Sequence, residues 1–366
     1  MHTDIAIIGG GLAGLSLARQ LSQMGQDFLL FEARDRLGGR IASVQQDSEQ
    51  ERSLGLEGYD LGPSWFWPGQ HRMERLVQDL GLTRFDQYAS GAILFETETG
   101  EVLRNLGFAS MQGAWRLQSG MRGLIDGIAQ QLPPERLHLN HAVTKLTQDG
   151  KLTFKDGSSC QAERIILALP PRLAAELSFA PALSRAQLQA LTAIPTWMGG
   201  QAKFVALYDQ PFWREDGFSG DAISRSGPLA EIHDASPPQT ALNSGAPAAL
   251  FGFLGLPAPT RQGKAEAITR AAIAQLTRLF GPKAAQPIRI AYQDWAQEHY
   301  TAAPIDQSAS GQHPAYGLPA ALQDVWNGRI SLCVSEVASE MGGYLEGALA
   351  AAEEQSELLQ KERVDE

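Results

Sequence analysis

The chain has 366 residues, 43% of them apolar and 19% charged, with a formal net charge of -11. A chain this long exceeds one ordinary core and points to two linked domains. Its acidic balance argues against nucleic acid or an anionic membrane surface as partner, because Lys/Arg patches bind both. Cys160 and Cys333 lie far apart and form no CxxC, which argues against a disulfide framework and against a structural metal site. The opening Met1-His2-Thr3-Asp4 carries no basic region, and no run reaches the ~18 apolar residues of a membrane span, so the expectation is a soluble, cytoplasmic protein. Nothing in the sequence specifies an oligomeric state.

Asp4–Ile8 is a short apolar run of the kind buried on both faces of a parallel sheet. Gly9-Gly10-Gly11 follows. Leu12, Leu15, Ala18 and Leu21 then mark one stripe of a helix that runs to Met24 and stops at Gly25. Phe28–Phe31 is a second buried strand, so the chain begins βαβ. A helix is predicted between Pro68 and Gly81, short strands around Ala89–Gly107, and a helix over Gly120–Leu132 stopped by Pro133-Pro134. Ala142–Thr147, Lys151–Phe154 and Glu163–Leu169 read as a meander turned by Asp149-Gly150 and Asp156-Gly157. A helix at Arg185–Leu191 and a strand at Lys203–Leu207 come next, then a polar surface loop at Ser236–Pro247. The remaining elements are strands at Ala249–Leu254, Ile288–Trp295 and Arg329–Val334, a helix at Ala265–Phe280, and a closing helix at Tyr344–Gln360. The fold class is α/β, and α+β overall.

Gly9-x-Gly11-x-x-Gly14 sits between a strand and a helix, the context that gives the motif a mechanism. Gly9 permits the tight turn, Gly11 lets the backbone approach a pyrophosphate, and Gly14 lets the helix pack on the sheet. The helix start at Leu12 and Ala13 offers free N–H groups to phosphate. Glu32, ending the second strand, is placed to accept hydrogen bonds from a ribose diol. These features imply a bound ADP group and do not separate FAD from NAD.

The segment Glu32-Ala33-Arg34-Asp35-Arg36-Leu37-Gly38-Gly39-Arg40 resembles the one that follows the second strand in flavin-containing amine oxidases. So does Asp60-Leu61-Gly62-Pro63-Ser64-Trp65, an element that lies beside the isoalloxazine in that family. The resemblance recurs in order: Ser119-Gly120-Met121, Val143, Leu167 to Pro171, Lys203 ahead of Pro211-Phe212-Trp213, Trp295-x-x-Glu298-x-Tyr300, and Glu336 with Gly343-Tyr344-Leu345-Glu346-Gly347-Ala348. It implies a Rossmann-like FAD-binding domain (residues 1–71, 117–195 and 306–366) interleaved with a smaller mixed-sheet substrate domain (72–116 and 196–305).

The resemblance also implies roles. Gly9, Gly11, Leu12, Ala13, Gly14, Glu32, Ala33, Arg34, Gly38, Gly39 and Arg40 would hold the ADP and pyrophosphate, with Val143 on the adenine. Gly62, Pro63, Ser64, Trp65, Trp295, Tyr344, Leu345 and Ala348 would face the flavin, and Glu336 would bond the ribityl chain or phosphate. Lys203, Tyr344 and Trp295 would be the catalytic residues. The family's reaction is hydride transfer from the carbon alpha to an amine onto flavin N5, followed by reoxidation by O2 to hydrogen peroxide. A desaturase or dihydro-pyridine oxidase on the same scaffold is the alternative.

Two positions depart from the pattern. Pro304 stands where monoamine oxidases carry a flavin-linking Cys, which implies non-covalent FAD. Ile305 stands where an aromatic should face Tyr344 across the amine, so Trp65, Trp67, Tyr300, Ile305 and Tyr344 are the expected substrate walls. The histidines are scattered, without a catalytic constellation or a metal-ligand motif.

Overall fold

The computed structural model describes residues 1–44, 58–104, 110–308, 313 and 315–365. His2–Ile8 lies between Phe28–Phe31 and Ser159–Leu167, parallel to both. Leu137–His138 extends this parallel core beyond Phe28–Phe31, and Ile330–Leu332 pairs with the end of Ser159–Leu167. The hairpin Val143–Thr147/Lys151–Phe154 and Ser178–Ala180 complete an eight-stranded sheet. Ala6 and Ile7 are wholly buried because both faces of the sheet are covered. One face packs on helices Leu12–Gln23, Arg122–Ala129 and Leu345–Asp365. Helix His71–Asp79 joins that layer through Met73, Leu76 and Val77, although it falls within the stretch 72–116. Helix Leu12–Gln23 ends as expected at Gly25 (φ +66°), where the N–H groups of Gly25 and Gln26 return to the carbonyls of Ser22 and Leu21.

The second sheet has seven strands, in the order Arg289–Asp294, Ala202–Tyr208, Ala248–Leu254, Leu229–Asp234, Phe218–Ser224, Ala92–Glu96 and Val102–Arg104. Every residue of Ala202–Tyr208 is buried, and the period of two decides what each meets. Phe204, Ala206 and Tyr208 pack toward helix Ala265–Phe280. Val205 and Leu207 pack toward Tyr59, Leu61 and Val44 of the first unit. Lys203 leaves the strand on this second face, toward the junction of the two sheets.

Several elements differ from expectation. The last meander strand starts at Ser159 rather than Glu163, because Ser159, Cys160 and Gln161 still pair across the hairpin with Thr153, Leu152 and Lys151. The strand expected to reach Trp295 stops at Asp294, whose side chain accepts the Ala296 N–H and caps a 3-10 turn beginning at Trp295. The loop Ser236–Pro247 contains a short helix, Gln239–Asn243. Strands Phe218–Ser224 and Leu229–Asp234 were not anticipated. Residues 105–107 of the expected 89–107 strand region lie outside the described residues.

Candidate cofactor and substrate site

Gly9 has φ +119°, and a Cβ there would meet the Ala168 carbonyl at 2.3 Å, so only glycine makes this turn. A Cβ on Gly14 would meet the Gly9 carbonyl oxygen at 2.1 Å; this is the close helix–sheet packing the motif implies, and Gly14 itself does not line the cavity described below. Gly11 is the opposite case: a Cβ there would meet nothing within 4 Å and would project into open space. Gly11 is also the N-cap of Leu12–Gln23 and has no capping side chain, and the first turn carries no acid. The free N–H groups and the positive helix end therefore face a void that suits a phosphate.

Glu32 is buried at the edge of that void. Its Oε2 accepts the Gly10 N–H (2.8 Å) and its Oε1 accepts the Arg34 N–H (2.9 Å), which fixes the carboxylate. Arg34 crosses to the other unit, donating to Thr301 Oγ1 (2.7 Å) and Glu298 Oε2 (3.4 Å). Arg40 donates to both oxygens of Glu336, at 2.6 and 3.2 Å, and Ser335 Oγ donates to Glu336 Oε2. Burial alone would raise the Glu336 carboxyl, but the charge and hydrogen bonds of Arg40 hold it below the usual carboxylate range. Glu336, expected at the ribityl chain or phosphate, is fully buried with its oxygens engaged and does not line the cavity, whereas its partner Arg40 does.

Lys203 is 2% exposed. Its Nζ donates to Ser64 Oγ (2.6 Å) and the Gly62 carbonyl (3.0 Å), and lies 3.9 Å from the Phe251 ring centre. Burial pushes its pKa from 10.5 down to about 7, against the opposing charge of Asp60. Burial raises Asp60 in turn, against Lys203 and Arg116, and Asp60 accepts the Met121 N–H at 2.8 Å. Trp295 Nε1 donates to the Leu61 carbonyl (2.9 Å), and Trp65 Nε1 donates to Gln87 Oε1 (2.8 Å).

These groups border one cavity of about 670 Å³. It is lined by Glu32, Ala33 and Val143, by Gly9, Gly11, Leu12 and Ala13 with Gly38, Gly39 and Arg40, and by Gly62, Pro63, Ser64, Trp65, Trp67, Lys203, Trp295, Tyr300, Tyr344, Leu345 and Ala348. Tyr344 is 36% exposed and stacks on His313, ring centres 5.1 Å apart. Ile305, expected as a substrate wall, is the exception: it is 52% exposed and does not line the cavity. The neighbouring Asp306 explains this. Its buried carboxylate accepts the Thr196 N–H (3.1 Å), the Ala303 N–H (3.0 Å) and Arg172 Nη1, which turns Ile305 outward.

The family model described as flavin containing amine oxidoreductase matches residues 12–105 and 83–359. The chain belongs to this family. It is therefore a flavin-dependent oxidoreductase acting on amines. Among its relatives is flavin-containing amine oxidase B of Sus scrofa, 23% identical over 461 aligned positions covering 96% of this chain and 84% of the relative. Among solved structures, cyclohexylamine oxidase from Brevibacterium oxydans IH-35A shares the fold at TM-score 0.79, 20% identity and coverage of 98% and 99%. Putrescine oxidase bound to putrescine does so at 0.78 and 21%, with 99% of each chain covered. The cavity also has lining residues the sequence did not reveal. Phe253, Trp197, Met198, Gln201 and Met111 line the cavity, as do His141 and His299, two of the scattered histidines. Among the described residues no group of His, Cys, Asp and Glu is arranged to hold a metal ion, and no helix is long and apolar enough to cross a membrane.

Proposed function

We propose that the chain binds FAD non-covalently and oxidises a small-molecule amine to an imine, with O2 as electron acceptor, in the cytoplasm. The observation that carries this reading is a single cavity that has a phosphate-ready helix end and Glu32 at one side and a buried Lys203 at the other. The open space over Gly11, which a Cβ would fill, fits a pyrophosphate; Glu32, held from behind by two N–H groups, fits a ribose diol. Bound there, FAD supplies the hydride acceptor for the carbon alpha to the nitrogen and passes the electrons to oxygen.

The chain's own residues bind, orient and exclude water. Arg40, aimed by Glu336, offers fixed positive charge near the pyrophosphate. Trp65, Trp67, Trp295 and Tyr344 form aromatic walls that shape the approach. Lys203, its pKa lowered by burial, can hold or give up a proton at Nζ near neutral pH and offers it next to Ser64 Oγ. The eight-stranded unit carries the cofactor residues, and the seven-stranded sheet carries Lys203 and the far wall. A desaturase or dihydro-pyridine oxidase is the weaker reading, since the family match is to enzymes of amines.

The test is an anaerobic mixture of the yellow protein with a panel of amines. Bleaching of the flavin, with peroxide on admitting air, is the expected result; bleaching only by a reduced pyridine or a polyene overturns the reading. Acid precipitation should leave the pellet colourless and the supernatant yellow, and a yellow pellet would refute non-covalent attachment.

A further inference from the structure

The cavity wall beside Glu32 carries a histidine that the proposed reaction does not use. His141 lines the cavity together with Ala142, Val143 and Thr144. The backbone fixes its place. The His141 N–H donates to the Glu32 carbonyl and the Asn140 N–H to the Arg34 carbonyl, each at 2.8 Å. His141 therefore sits next to the carboxylate that fits a ribose diol. Its surroundings are apolar: Val143, Leu169 and Leu177 line the cavity and pack on the buried cluster that holds Phe31 and Phe154. A flat base attached to that ribose meets apolar walls and few polar side chains, the composition that gives a pocket both affinity and selectivity.

The ring is held as well as the backbone. It meets Phe154 edge-on, ring centres 5.2 Å apart, and His138 edge-on at 5.4 Å. Nδ1 lies 2.7 Å from the Leu139 carbonyl oxygen. A carbonyl only accepts, so Nδ1 carries the proton and Nε2 keeps its lone pair. Among the described residues Nε2 has no hydrogen-bond partner. The other neutral tautomer would set the Nδ1 lone pair against the Leu139 oxygen. The neutral ring is thus locked as an acceptor at Nε2.

We propose that His141 Nε2 accepts a hydrogen bond from the 6-amino group of the FAD adenine, which makes His141 a side chain that selects an adenine dinucleotide. The inference rests on the FAD reading and adds a residue to it, since the resemblance places only Val143 at the adenine.

The experiment titrates the apoprotein by fluorescence with FAD and with its analogue in which hydrogen replaces the 6-amino group. The intact chain should bind FAD about three- to tenfold more tightly, the worth of one neutral hydrogen bond. His141→Phe keeps a ring against Phe154 and removes the acceptor. It should weaken FAD by the same factor and leave the analogue within about twofold, so that the preference disappears; a purely structural role would weaken both ligands alike. Glu176, which also lines the cavity, is the competing acceptor, and Glu176→Ala should leave the preference intact. No preference in the intact chain, equal weakening of both ligands by His141→Phe, or a preference lost only with Glu176 overturns the role of His141 alone. Failure of the intact chain to bind either dinucleotide overturns the FAD reading and this inference with it.

Discussion

Lys203→Met should make the protein more stable while damaging its function. Lys203 is an ammonium buried to 2% exposure, held by a hydroxyl and a carbonyl and by no directly bonded carboxylate. Its pKa falls from 10.5 to about 7 on folding, which corresponds to about 4–5 kcal/mol of penalty on the charged form. The sign follows from the two states. Below pH 7 the lysine is charged both folded and unfolded, and the fold bears the whole penalty. Between pH 7 and 10.5 only the unfolded chain holds the proton, so the penalty shrinks as pH rises, and it vanishes above 10.5. Methionine fills nearly the same volume without the charge. It forfeits the two hydrogen bonds, an offset of about 2–3 kcal/mol, while the attraction to Asp60 is already contained in the lowered pKa, so the net gain below pH 7 is about 2 kcal/mol. For a chain of this length that raises the melting temperature by about 3 °C. Urea unfolding of the apoprotein at pH 6, 8 and 10 is the assay, with stopped-flow reoxidation of the holoenzyme in parallel. A Met variant less stable than the parent at pH 6, or a difference that does not shrink toward pH 10, would refute the reasoning; unchanged reoxidation by oxygen would remove the functional role of Lys203.

Glu32→Ala should weaken FAD binding about tenfold or more, since it frees the Gly10 and Arg34 N–H groups and removes the diol acceptor; a fluorescence titration with FAD measures it, and an unchanged affinity would contradict the site. Glu336→Gln should destabilise by about 3 kcal/mol at neutral pH, because it leaves Arg40 without its carboxylate. The carboxyl is held low in the fold, so its contribution is present at neutral pH and fades as pH falls through the folded value; the gap between parent and variant in urea unfolding should therefore narrow in acid. Ile305→Tyr should leave KM for the amine within about twofold, as for other exposed positions; a marked fall in KM would place residue 305 in the chamber after all.

The nucleotide turn was legible because its glycine spacing sits within one strand–turn–helix unit: Gly14 answers a clash with the carbonyl of nearby Gly9, and Glu32 ends the next strand. Lys203 was singled out by resemblance, as a lysine ahead of an apolar strand and Pro211-Phe212-Trp213. Phe253 was not. It reaches the site only because Ala202–Tyr208 pairs with Ala248–Leu254, and nothing near residue 253 signals that register. Strands Phe218–Ser224 and Leu229–Asp234 escaped because register shifts at Phe218/Ala222 and Leu229/Glu231 interrupt the alternation that marks a half-buried strand. The motifs gave the positions of Glu336 and Ile305 but not their surroundings. Glu336 has Arg40 as partner from the far end of the sequence, and Ile305 is turned away by the buried carboxylate of Asp306. Neither long-range pairing leaves a trace in nearby residues.

The first strand has a further consequence, for synthesis. His2–Ile8 emerges from the ribosome early, yet its central partner, Ser159–Leu167, lies roughly 160 residues downstream. At translation speeds of about 5–20 residues per second, the strand waits roughly 8–30 s with one edge unpaired. Leu345 and Ala348, which also line the cavity, come later still. The dinucleotide turn is thus the first part of the site to be made and among the last to be completed. Nascent chains halted before Leu345 should resist loading with flavin, and their apolar first strand is the segment most in need of a chaperone.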